Sequence, residues 1–82
     1  MYRVKIDVTL KKTVLDPQGK TVLLSLHSMG FPEAHDLRVG KFFDLTLDVT
    51  DEESAKKKVA EICDRLLVNP VIEDYSFAIE KI

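Results

Sequence analysis

The sequence predicts an α+β fold: a two-layer sandwich in β-α-β-β-α-β order, related to the ferredoxin-like arrangement, with both helices on one face of an antiparallel sheet. Three observations carry this expectation. The first ten residues alternate apolar and polar side chains. Two later stretches alternate the same way. Two segments between them repeat their apolar residues at helical spacing instead.

Tyr2, Val4, Ile6, Val8 and Leu10 alternate with Arg3, Lys5, Asp7, Thr9 and Lys11, which marks a strand with one wet face. Leu15-Asp16-Pro17-Gln18-Gly19 breaks the pattern. Asp16 suits a helix N-cap and Pro17 the first helical position. Val22, Leu23, Leu26 and Met29 follow at helical spacing. Gly30 is placed to end that helix, with Pro32 just beyond.

Leu37, Val39, Phe43, Leu45, Leu47 and Val49 all stand at odd positions around Gly40-Lys41. A three-residue hairpin loop, Gly40 to Phe42, pairs Val39 with Phe43 and Leu37 with Leu45 and keeps one face apolar. One long strand bent at Gly40 preserves the same phase. Both arrangements stay open at this level. Thr50-Asp51-Glu52-Glu53 then has capping-box spacing between Thr50 and Glu53. Ala55, Val59, Ile62, Cys63, Leu66 and Leu67 form the expected buried stripe of a second helix, which Asn69-Pro70 ends. Tyr75, Phe77 and Ile79 alternate with Asp74, Ser76 and Glu80 as the last strand.

Residues 1–82 read as a single small domain, with 45% hydrophobic and 32% charged residues of mixed sign. Such a chain hides only about 60–65% of the surface its unfolded form exposes, so its core is thin and an oligomer or larger complex would help it. The net charge of −2 argues against a general nucleic-acid binder, which needs a basic footprint. Gly40-Lys41-Phe42-Phe43 bears a superficial likeness to an RNA-recognition strand. The neighbouring wet positions are Asp44, Thr46 and Asp48, and acids there repel phosphate. A single cysteine, Cys63, excludes an intrachain disulfide framework. No apolar run approaches the roughly 20 residues of a membrane span, and the alternating N-terminus does not read as a signal segment. A cytoplasmic setting is expected.

The chain offers little from which to build a reaction. His27 and His35 are the only histidines, and neither pairs with a serine or cysteine in a local catalytic signature. Cys63 falls on the buried stripe, where a free cysteine acts as a small hydrophobe. One cysteine and two separated histidines make no metal cluster. Asp48, Asp51, Glu52 and Glu53 are dense, but helix capping explains them. Gly19, Gly30 and Gly40 are isolated and form no phosphate loop. Arg38 and Lys41 are more informative. Arg38 lies between two apolar positions and is expected on the uncovered sheet face, as an anchor for a partner alongside Lys41.

Five segments, in order, resemble the PurS family. They are Met1-Tyr2-Arg3-Val4-Lys5-Ile6, Leu15-Asp16-Pro17-Gln18-Gly19-Lys20, Leu26-His27-Ser28-Met29-Gly30-Phe31, Arg38-Val39-Gly40-Lys41, and Leu66-Leu67-Val68-Asn69-Pro70-Val71-Ile72-Glu73-Asp74-Tyr75. The resemblance spans the chain. It implies a non-catalytic subunit of phosphoribosylformylglycinamidine synthase, a glutamine- and ATP-dependent ligase complex of purine biosynthesis. The implied partners are a PurL-type synthetase and a PurQ-type glutaminase, together with further copies of the same chain as a homodimer or dimer of dimers. The implied role is assembly and support of ammonia transfer. ATP and magnesium belong to the synthetase, and this chain itself holds no cofactor. The candidate partner-contacting residues are Asp16, Gln18, His27, Arg38, Lys41, Asp74 and Tyr75. The competing reading is an ACT-like or ferredoxin-like regulatory domain that binds a small molecule near Gly19 at the strand–helix junction.

Overall fold

The computed structural model describes residues 1–82. Its elements run β1 (Tyr2–Leu10), α1 (Pro17–Ser28), β2 (Gly40–Leu47), α2 (Glu52–Ile62) and β3 (Glu73–Lys81). The three strands form one antiparallel sheet in the order β2-β1-β3. The class is α+β, as expected.

Register follows from the alternation. Val4 stands opposite Leu45 and Ile79, and Ile6 opposite Phe43 and Phe77. A slip of one residue would turn each of these to the wet face. Val4, Ile6 and Val8 are fully buried beneath Ala55, Val59 and Cys63 of the second helical segment. Each such aliphatic side chain contributes about 1.5–3 kcal/mol by leaving water. Phe43, Leu45, Leu47, Tyr75, Phe77 and Ile79 pack around that centre but remain half-buried. Only 10 of 82 residues are buried, so each one carries a large share of the stability.

Details of the fold differ from the sequence expectation. The middle of the chain contributes one strand beginning at Gly40, not a hairpin and not a long bent strand. The residues before it have other work. Val39 gives its N–H to the Asp16 carboxylate, and Arg38 bonds the end of β1, so neither is free to join a ladder. The helices also do not share a sheet face. α2 packs on β1 and β3, whereas α1 has no substantial contact with any strand. It projects from the end of the sheet and stretches the molecule to 50 × 27 × 14 Å.

α1 starts as expected. Asp16 is the N-cap and Pro17 the first residue, and Gly30 at φ 99° lies just past the C-terminus. There Gly30 N–H donates to His27 O and Phe31 N–H to Leu26 O, the paired bonds of a Schellman ending. The cap of α2 is Asp51 rather than Thr50, its Oδ2 accepting from Ser54 N–H at 3.1 Å. The last turn of this helix widens over Cys63–Leu67, and Val68 N–H reaches back five residues to Cys63 O. Leu66, expected in the buried stripe, is 80% exposed. It lies on the outer flank of the helix with Lys58, Glu61, Ile62 and Arg65 around a shallow groove.

Candidate functional site

Four of the candidate residues converge where β1, α1 and β2 meet. Asp16 is the centre of this junction. Its Oδ1 accepts from Gly19 N–H and its Oδ2 from Val39 N–H, both at 2.9 Å. One carboxylate therefore caps α1 and ties the incoming end of β2 to it. The Val39 and Gly19 amides, with a smaller contribution from the Arg38 charge, hold the Asp16 carboxyl below its ordinary value. Backbone here comes very close. A Cβ on Gly19 would lie 2.7 Å from Leu37 O and 2.5 Å from the Asp16 carboxylate. Glycine is required at that position because nothing larger fits.

Arg38 is not on the uncovered sheet face, because it precedes β2. Its Nη2 donates to Lys11 O at 2.7 Å, Val14 O at 3.1 Å and Leu10 O at 3.3 Å. Leu10 is the last residue of β1, and Lys11 and Val14 belong to the turn that follows it, past the β1–β2 pairing that ends at Thr9 and Gly40. The guanidinium replaces the ladder there, as its fixed fork of donors permits.

Lys41 also lies off the uncovered face. In β2 it aligns with Val8 of β1, so it shares the apolar side of the sheet. Its Nζ reaches Glu73 Oε2 at 3.2 Å, and Glu73 Oε1 accepts from Asn69 N–H at 2.8 Å. The Asn69 amide first, and Lys41 second, hold the Glu73 carboxyl below its ordinary value. Gln18, Asp16, Lys41 and Glu73 line one concavity of about 290 Å³ with Val8, Leu10, Val39 and Gly40. Glu73 was not among the candidates. It sits within the quoted Val-Ile-Glu-Asp-Tyr segment, but its role depends on a lysine 32 positions away that only the sheet brings near.

The other candidates are dispersed. Asp74 pairs with Lys11 at 3.1 Å on the adjoining rim. Tyr75 lies on the inner face and stacks on Phe77 with ring centroids 6.3 Å apart. Burial pushes its phenol up. His27 is remote, at the far end of α1, where its Nε2–H donates to Ala34 O at 2.7 Å. Because a carbonyl only accepts, that contact fixes the proton on Nε2. Burial likewise pushes the Cys63 thiol up, away from the reactive thiolate. No group of three or more His, Cys, Asp and Glu side chains is placed to hold a metal ion. No helix is long and apolar enough to cross a membrane.

The geometry thus defines a class: a small α+β scaffold whose conspicuous charges hold one junction in shape and fix a helical arm at the end of a sheet. Comparison with known proteins places it more closely. The family model for PurS, phosphoribosylformylglycinamidine (FGAM) synthase, matches residues 3–81. The chain is 46% identical to the phosphoribosylformylglycinamidine synthase subunit PurS of Bacillus subtilis, with 100% of this chain and 96% of that one covered. The solved PurS of Methanocaldococcus jannaschii superposes with a TM-score of 0.90 at 39% identity, over 100% of this chain and 99% of that one. A chain of the PurLQS structure from Thermotoga maritima superposes with a TM-score of 0.90 at 33% identity, each chain covered to 96%. The chain belongs to the PurS family.

Proposed function

We propose that this chain is the non-catalytic subunit of a phosphoribosylformylglycinamidine synthase. In this reading it acts as a single-domain cytoplasmic adaptor that joins a PurL-type synthetase to a PurQ-type glutaminase. The observation that carries the reading is end-to-end agreement with PurS chains at up to 46% identity, including a chain of an assembly named PurLQS. The partners supply the chemistry. ATP and magnesium act in the synthetase, and glutamine is split in the glutaminase.

A physical need explains such an adaptor. Ammonia released at one site is lost by protonation and diffusion unless the two sites are held together. A shape-keeping part can hold them without a nucleophile, provided its own geometry is fixed. The junction built on Asp16, Arg38 and the Lys41–Glu73 pair supplies that rigidity. We assign the partner-contacting surface to the rim of this junction, with Gln18 and Asp74 exposed there and Tyr75 half-buried at its edge. His27 lies on the arm. Arg38 and Lys41 then act chiefly by keeping the rim in place.

Reconstitution tests the reading. Synthetase and glutaminase subunits from the same source are assayed for glutamine-dependent amidation with and without this chain. Amidation is expected to depend on the chain. Equal rates in both mixtures would refute the adaptor role. The regulatory-domain alternative predicts instead that the isolated chain binds nucleotides or amino acids by calorimetry.

A further inference from the structure

We propose that Lys12 and Arg38 form a docking point for a carboxylate side chain of a different subunit of the assembly. This rests on the adaptor reading and names one of its contacts.

Two connecting segments build the point. Lys12 lies in the turn after β1, and Asp36 and Arg38 lie two residues apart on the approach to β2. Together their side chains line a cavity of about 250 Å³ that has no apolar residue in its wall. All three are exposed, and none enters an ion pair within the chain.

Arg38 is nonetheless fixed. Its hydrogen bonds to Leu10 O, Lys11 O and Val14 O all come from Nη2, which leaves its Nη1 and Nε donors unspent. The acceptors are neutral carbonyls, so they hold the guanidinium without cancelling its charge. Lys11 and Val14 flank Lys12, and Val14 N–H donates back to Lys11 O at 2.9 Å. The same bonds therefore hold the turn that carries Lys12. Exposed ion pairs are weak largely because both side chains must be immobilised to form them. At Arg38 that ordering is already done, so an incoming acid meets a preorganised set of donors.

The charges select the occupant. Two cations and one carboxylate face the cavity, an arrangement that favours a single negative charge. A side-chain carboxylate fits. A phosphate monoester, with close to two charges at neutral pH, is opposed by Asp36, and a nucleobase finds no wall to stack on. A second copy of this chain is also disfavoured, because permanent interfaces between identical chains are rich in apolar surface and this wall has none. Contacts between separately folded subunits use such charges to steer encounter and fix register.

The test uses the full chain assembled with its synthetase and glutaminase. A carbodiimide joins a carboxylate to an amine only where the two touch. Mass spectrometry of the treated complex is expected to find Lys12 linked to an Asp or Glu of another subunit. Lys12→Glu alters an exposed side chain outside every helix and strand, so the unfolding midpoint should stay in place. Its affinity for the partners is expected to fall about tenfold. Lys12→Arg should restore it, and Asp36→Asn should raise it about two- to threefold. Added salt should weaken the wild-type complex more than the Lys12→Glu complex. A Lys12 link only to another copy of this chain would overturn the proposal. So would loss of the link in inorganic phosphate but not in acetate of equal ionic strength, which would mark a phosphate site. Unchanged affinity in Lys12→Glu would strike this contact alone, whereas failure of the wild-type chain to join any complex would strike the adaptor reading itself.

Discussion

The sheet with α2 and the projecting α1 both carry apolar side chains but hold them in opposite ways. Val4, Ile6, Val8, Val59 and Cys63 are buried to 1% exposure or less. Of the apolar residues in α1, none is buried, and Val22 and Leu24 are exposed outright. The first region is stabilised by hydrophobic burial. Within the chain, the second is held mainly by directed polar contacts at its root and tip: the Asp16 cap, the Arg38 fork and the His27 bond. Composition alone therefore does not say where a core lies; connectivity and register decide it.

The contrast can be broken most severely in the core. Ile6→Ala is expected to cost about 2–5 kcal/mol in urea unfolding, enough to depopulate the folded state of a domain this small. Leu24→Ala on the arm should change the same measurement by less than about 0.5 kcal/mol. Equal losses would mean the arm is packed after all. Next in size, Gly19→Ala forces a methyl group against Leu37 O and Asp16, and overpacking of this kind costs about 1–3 kcal/mol. Removing the cap by Asp16→Ala should lower the melting temperature by roughly 5 °C. It should also speed hydrogen exchange at the Gly19 and Val39 amides ahead of those in β1.

Acid sharpens the comparison further. Asp16, Asp51 and Glu73 all have carboxyls held below their ordinary values of 3.8, 3.8 and 4.5. A lowered folded-state value favours folding while the group is ionised. This stability is fully present above those ordinary values and is lost as pH falls through the lower folded ones. Stability is therefore expected to stay level with respect to these groups above about pH 5.5 and to fall progressively below. Asp16→Asn should flatten part of that decline, measured as unfolding midpoints between pH 7 and pH 3. The smallest effect belongs to Arg38→Ala, whose side chain is exposed. The fold should survive with a melting temperature within a few degrees of the original, while complex formation weakens.

Much of this was legible in the sequence, and the divisions are instructive. Strands β1 and β3 alternate without interruption, and both helices carry strong start signals, so their existence and type followed directly. Asp16, Gln18, Arg38 and Lys41 come together at one junction. Neither the hairpin nor the long bent strand forms, although Leu37 and Val39 keep the same phase as Phe43. Phase reports which face a residue would take in a strand, not whether a strand forms there. What removed them from the sheet was a carboxylate 23 positions earlier, a non-local contact invisible to local pattern. Arg38 was given to the wrong surface for the same reason, and Glu73 was overlooked because its lysine partner is distant in sequence.

The widened turn at Cys63–Leu67 bears on how this chain tolerates changes in length. A turn closed by a bond to the fifth residue back holds one residue more than an ordinary α turn needs. Deleting one of the exposed residues Asp64, Arg65 or Leu66 is expected to let the helix close with regular bonding, checked by an unchanged unfolding midpoint. The connection into β3 therefore has slack of one residue, and that slack sits beside Val59 and Cys63 without entering the sheet register.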